Sequence, residues 1–100
     1  MKLKAGTKLE SAVCDTQVMV LRVPDRDLDV RCGGVPLQLD PGQQEGEPEA
    51  GFDGGTLVGK RYNDADDTME FLCTRGGAGS LSVDGTLLEQ KLAKKLPSSD

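Results

Sequence analysis

The side chains in this sequence best suited to chemistry are three thiols, Cys14, Cys32 and Cys73. A cysteine acts as nucleophile or metal ligand only as the thiolate, so its surroundings decide its use. The chain has no histidine, which excludes Ser–His and Cys–His pairs. Carboxylates are numerous, but they fall in turns and in one acidic stretch, where solvation keeps them ordinary. No catalytic constellation and no organic cofactor fingerprint emerges, and the chain does not read as an enzyme. Arg75 follows Cys73 closely and would lower its pKa, yet the pattern around Cys73 is that of a half-buried strand. An odd number of cysteines with no close pair argues against a disulfide framework. The thiols read as reduced, with one or two of them in the core.

Two other motifs carry little. Asp25, Asp27 and Asp29 have the spacing that opens an EF-hand loop. Val30, however, stands where glycine is required, and Pro36 where a bidentate glutamate belongs. Gly76-Gly77-Ala78-Gly79-Ser80 offers backbone N–H groups to a phosphate but lacks the Lys-Ser/Thr of a P-loop. It reads as a turn whose glycines take positive φ.

The elements that must position the thiols are strands. One hundred residues make a single small domain with a limited core, and 13 Gly and 5 Pro suit short strands and many turns. Residues 16–23, rich in Val and Leu, read as a strand. Pro24 to Asp27 is a turn, and residues 28–31 are the return strand of a hairpin. In that return strand Leu28 and Val30 face the core, while Asp27, Asp29 and Arg31 share the other face. Residues 56–63 and 68–74 read as a third and fourth strand and residues 80–83 as the return. Asp84-Gly85 is a tight-turn signal before residues 86–88. Residues 40–55, rich in Gly, Pro and acid, read as a solvated linker between a first unit, 1–39, and a second, 56–88. Leu88, Leu92 and Leu96 recur at i, i+4 and i+8, which predicts a short helix over residues 89–97, stopped by Pro97.

The halves echo each other. Val18-Met19-Val20-Leu21 followed by Leu28-Asp29-Val30 matches Met69-Glu70-Phe71-Leu72 followed by Leu81-Ser82-Val83. Each run then reaches a glycine turn, at Gly34 or Gly85. A repeated hairpin unit explains both.

Ser11-Ala12-Val13-Cys14, a hairpin, and Cys32-Gly33-Gly34-Val35-Pro36-Leu37 together form a pattern. It resembles the desulforedoxin-like module, the small iron-binding domain that begins desulfoferrodoxins. That family shows Cys-x-x-Cys, a hairpin, then Cys-Cys-Gly-x-Pro-Met. The resemblance covers residues 6–38 and, more faintly, 68–88. It implies that Cys14 and Cys32 stand at the second and third ligand positions. Ser11 replaces the first cysteine and Gly33 the fourth. A tetrahedral Zn or Fe site of that type needs four ligands. The resemblance therefore implies a scaffold that has kept its shape without its metal. If Zn or Fe is held, the ligands expected are Cys14, Cys32 and Cys73.

A formal charge of −5 and a pI near 4.6 argue against nucleic acid and against an anionic membrane surface. No apolar run approaches the roughly 20 residues of a membrane span. Lys2 and Lys4 have no apolar stretch behind them, so no signal peptide is read and a cytoplasmic location is expected. The expected fold is all-β, two small hairpin units packed together, closed by a C-terminal helix. The expected role is a non-catalytic accessory or protein-interaction module derived from a desulforedoxin-like domain. It would meet a protein partner or a second copy through its acidic surface, its β edges and Leu88, Leu92 and Leu96. A structural Zn or Fe protein and a small subunit of a multisubunit enzyme are the alternatives.

Overall fold

The computed structural model describes residues 2–39 and 42–90. Its strands are β1 Lys8–Glu10, β2 Gln17–Arg22, β3 Val30–Cys32, β4 Val35–Pro36 and β5 Gln38–Leu39. They continue with β6 Arg61–Asn63, β7 Glu70–Arg75, β8 Leu81–Val83, β9 Thr86–Leu87 and β10 Glu89–Gln90. No helix occurs among the described residues, so the fold there is all-β. One sheet runs β10-β6-β7-β2-β1-β5 and the other β4-β3-β8-β9, both antiparallel. No helix among these residues is long and apolar enough to cross a membrane.

Strand pairing departs from the local hairpins that the sequence suggests. β2 and β3 do not pair with each other. β2 lies against β7, with Val18 opposite Cys73, Met19 opposite Leu72 and Val20 opposite Phe71. β3 lies against β8, with Val30 opposite Val83 and Cys32 opposite Leu81. The same holds for β7 and β8. The stretch from Val23 to Asp29 is long enough for the chain to leave one sheet and enter the other, so each sheet joins both halves at its centre. Both sheets read the same from either end once β1 to β5 are exchanged for β6 to β10. Hydrogen bonds recur in step. Leu37 N–H donates to Val30 O at 3.0 Å and Leu88 N–H to Leu81 O at 2.9 Å. Likewise Val20 N–H donates to Thr7 O at 2.8 Å and Cys73 N–H to Lys60 O at 2.9 Å.

Two tight turns match as well. Gly33 and Gly34 have φ of 68° and 82°, and Asp84 and Gly85 have 52° and 86°. Positive φ at both central residues is the type I′ pattern that suits the twist of a two-residue hairpin. The third strand is shorter than the sequence suggests. Gly59, at φ 81°, turns the chain, and only residues 61–63 pair as a strand. The predicted helix is also corrected. Leu88 packs against the core, and Glu89 and Gln90 pair with Asn63 and Tyr62 as β10. A two-residue strand here covers the open edge of β6, and satisfying that ladder outweighs a helical period only three leucines long. The rest of the predicted helix, including Leu92 and Leu96, lies outside the described residues.

The core is one cluster fed by both sheets. Leu9, Val18, Val20, Phe71 and Cys73 come from the larger sheet, and Val30, Cys32, Leu81 and Val83 from the smaller. Leu28 and Val30 are buried as their spacing predicts, with Asp27 and Asp29 exposed.

Candidate functional site: a buried thiol pair

Cys14 lies in the turn between β1 and β2, and Cys32 ends β3. The two sheets bring their sulfurs to 3.8 Å. Both residues are buried, Cys14 at 6% exposure and Cys32 at 0%. The local turn is built by Ser11. Its Oγ accepts the N–H groups of Val13 at 3.1 Å and Cys14 at 3.2 Å, which fixes where the Cys14 side chain begins. The Cys14 thiol lies 3.2 Å from Ser11 Oγ and 3.2 Å from Thr16 Oγ1. Gly79 N–H donates to Cys14 Sγ at 3.3 Å. Thr16 Oγ1 in turn lies 2.6 Å from Thr56 Oγ1, so a chain of hydroxyls runs back from the Cys14 thiol into the core. Among the described residues, no buried side-chain nitrogen or oxygen is left without a partner.

The three thiols differ in acidity. Burial alone would raise Cys14, but hydrogen bonds from Ser11, Thr16 and Gly79 outweigh it and bring the thiol down to about 7. Burial pushes Cys32 up to about 12, helped by the adjacent charge of Cys14. Cys73 is also raised, chiefly by burial. That burial outweighs the lowering contributions, the backbone of Arg75 among them, so the thiol is not made more acidic as the nearness of Arg75 in the sequence suggests.

Cys73 belongs elsewhere. It is fully buried in β7, and its thiol donates to Arg75 O at 3.2 Å. It takes the place in the second half that Val20 takes in the first, a core position. The structure therefore joins Cys14 and Cys32 and leaves Cys73 out of a common ligand set. No group of three or more Cys, Asp or Glu able to hold a metal occurs among the described residues. The Gly33 corner is also closed to a side chain. A Cβ there would lie 2.7 Å from Val13 Cγ2 and 3.0 Å from Pro48 Cβ. The donors present do not fit a four-thiolate ion.

Residues 42–55 are tied over this corner and do not hang as a bare connection. Glu45 N–H donates to Ala12 O at 2.6 Å, Glu49 N–H to Gly33 O at 2.8 Å and Ser80 N–H to Phe52 O at 2.7 Å. The glycine run 76–79 also serves this corner. Gly76, Gly77 and Gly79 do not have positive φ; they are needed for close approach. A Cβ on Gly79 would meet Gly33 N at 2.9 Å, Cys32 Sγ at 3.0 Å and Cys14 Sγ at 3.1 Å. A Cβ on Gly77 would lie 2.5 Å from Thr16 Oγ1. Thr16, Thr56 and Gly79 escape a sequence reading, because a buried hydroxyl has no period and a packing glycine looks like a turn glycine.

A cleft of about 120 Å³ opens beside Cys14, lined by Glu10, Asp15, Gln44 and Arg75 among others. Set against models of known protein families, curated proteins and solved structures, the chain matches none.

Proposed function

We propose that this chain is a small non-catalytic accessory module, built from two copies of a desulforedoxin-like unit, that stands without the metal of that family. The observation that carries the reading is the make-up of the four corner positions. Two thiols sit 3.8 Å apart, the span that two bonds of about 2.3 Å to one tetrahedral ion would give. The other two corners hold a serine that braces the turn and a glycine whose side-chain space is filled by Val13 and Pro48. Recurring strand order and hydrogen bonds support the duplicated unit. Apolar burial and the hydroxyl chain then take over the stabilising role of an ion.

An interaction role draws on the surface. Leu39 on β5 and Leu87 on β9 are 59% and 48% exposed on strands that end their sheets. A protein partner or a second copy would add a strand at such an edge. Protein purified without added metal is expected to carry no stoichiometric Zn or Fe by elemental analysis. It should also show no thiolate-to-metal absorption. One ion per chain overturns the reading. Size-exclusion with light scattering then separates self-association from a need for another protein.

A further inference from the structure

The fold sets two buried free thiols side by side, and of the two Cys14 lines a cleft. Cys14 and Cys32 are both unbridged, with sulfurs 3.8 Å apart. A disulfide needs about 2.05 Å, so the sulfurs have under about 2 Å to close. Cys14 lines the cleft that also holds Asp15, Gln44 and Arg75. Cys32, at 0% exposure, lies behind it. Gly79 keeps the space over both sulfurs free of any side chain. A thiol at the wall of a cleft, backed by a fully enclosed one, suits the division of labour between an attacking and a resolving cysteine. Cys73 has no part in it, since its thiol is turned to Arg75 O.

We infer that Cys14 and Cys32 form a thiol–disulfide exchange site that takes low-molecular-weight disulfides, with Cys14 attacking and Cys32 resolving. This goes beyond the accessory reading and rests on it in one respect, that no ion holds the sulfurs. In the first step Cys14 thiolate bonds to one sulfur of the disulfide RSSR. The S–S bond of RSSR breaks, and RS⁻ leaves and takes a proton from solvent. In the second step Cys32 gives up its proton to solvent and attacks Cys14 Sγ. The bond between Cys14 and the remaining R–S group breaks, and the second RS⁻ leaves and is protonated. Two protein thiols are oxidised to one disulfide, and RSSR is reduced to two RSH. Ser11, Thr16 and the Gly79 N–H favour the thiolate that starts the sequence. Once Cys14 is in the mixed disulfide its charge is gone, and with it the repulsion that opposes ionisation of Cys32.

The test uses the reduced full chain and glutathione disulfide, with an acid quench, intact mass and thiol titration. The expected result is loss of two thiols, a mass lowered by two hydrogens, and a peptide map joining Cys14 to Cys32. Cys32→Ser should hold one glutathione on Cys14 without releasing it. Cys14→Ser should react about tenfold or more slowly, and Cys73→Ser should behave as wild type. Circular dichroism checks that each variant folds; if one does not, the wild-type mass and map decide. Wild-type protein that keeps its thiols, holds a lasting adduct, or links Cys73 overturns the inference. Reaction only after a chelator overturns the metal-free reading together with it. Failure in protein shown to be metal-free sinks the exchange site alone.

Discussion

The turn after β1 and the turn after β6 are held by different oxygens. In the first, Ser11 Oγ accepts the N–H groups of Val13 and Cys14 at 3.1 and 3.2 Å. In the second, Asp64 Oδ1 accepts those of Thr68 and Met69 at 2.7 and 3.1 Å. The correspondence continues around each corner. Gly33 N–H donates to Ser80 O at 2.9 Å, and Asp84 N–H to Asp29 O at 3.0 Å. Where the first corner places Cys14, Cys32 and Gly33, the second places Asp67, Val83 and Asp84. The first is buried and lined by thiols and hydroxyls. In the second Val83 stays in the core, but Asp67 and Asp84 are exposed and charged, with Arg22 Nη2 at 2.7 Å from Asp67 Oδ1 and Arg26 Nη1 at 2.9 Å from Asp84 Oδ2. One backbone frame therefore accepts either lining, and the frame by itself does not require thiols.

The residues that roof the two corners give the largest contrast. Leu28 precedes Asp29 as Gly79 precedes Ser80. Leu28 is 1% exposed, so Leu28→Ala leaves a cavity and is expected to cost about 2–5 kcal/mol in urea unfolding. Gly79→Ala does the opposite and overfills its corner. It should cost about 1–3 kcal/mol and change the reactivity of the Cys14 thiol, which Leu28→Ala should not. If Gly79→Ala leaves both stability and thiol reactivity unchanged, the close packing over the sulfurs is wrong.

Much of this frame is legible in the sequence, but not its pairing. Alternation and β-branching mark residues 16–23 and 28–31 as strands, against the observed Gln17–Arg22 and Val30–Cys32, and put Leu28 and Val30 inside. Asp84-Gly85 gives its turn directly. Alternation states which face a residue takes, not which strand lies beside it, so β2 against β7 was hidden behind the nearer hairpin. Leu88 satisfies both a helical period and a sheet edge, and only the open edge of β6 decides between them. At the site, the spacing of Cys14 and Cys32 singles out the two thiols that lie 3.8 Å apart. Cys73 carries two readings in the sequence, a strand position and a conditional third ligand, because sequence alone does not separate a core thiol from a ligand; it is buried in β7.

Removing the brace of the thiol corner gives a smaller effect with a chemical signature. Ser11→Ala leaves two backbone N–H groups without their acceptor and should cost about 1–3 kcal/mol. It also removes a hydrogen bond that stabilises the Cys14 thiolate, so the thiol should rise from about 7 toward the ordinary 9.0. Alkylation of Cys14 should slow near pH 7 and converge with wild type near pH 9. An unshifted profile would contradict the assigned cause.

The opposite corner should answer to acid instead. Slight burial opposes ionisation of Asp64, but the Thr68 hydroxyl and the N–H groups of Met69 and Thr68 outweigh it and hold its carboxyl below 3.8. A depressed folded pKa adds stability at higher pH that is lost as pH falls through the folded value. Wild-type stability should therefore drop below about pH 4. Asp64→Asn should start less stable at neutral pH and lose less in acid. Parallel curves would show that the carboxylate does not brace that turn.

The central claim is that the thiol corner stands on packing and hydroxyls rather than on an ion. Thermal unfolding of the protein with and without a strong chelator, with metal content measured on the same sample, tests it directly. The account predicts superimposable melting curves and no stoichiometric Zn or Fe. A bound ion in every chain, with the transition lost on chelation, would contradict it.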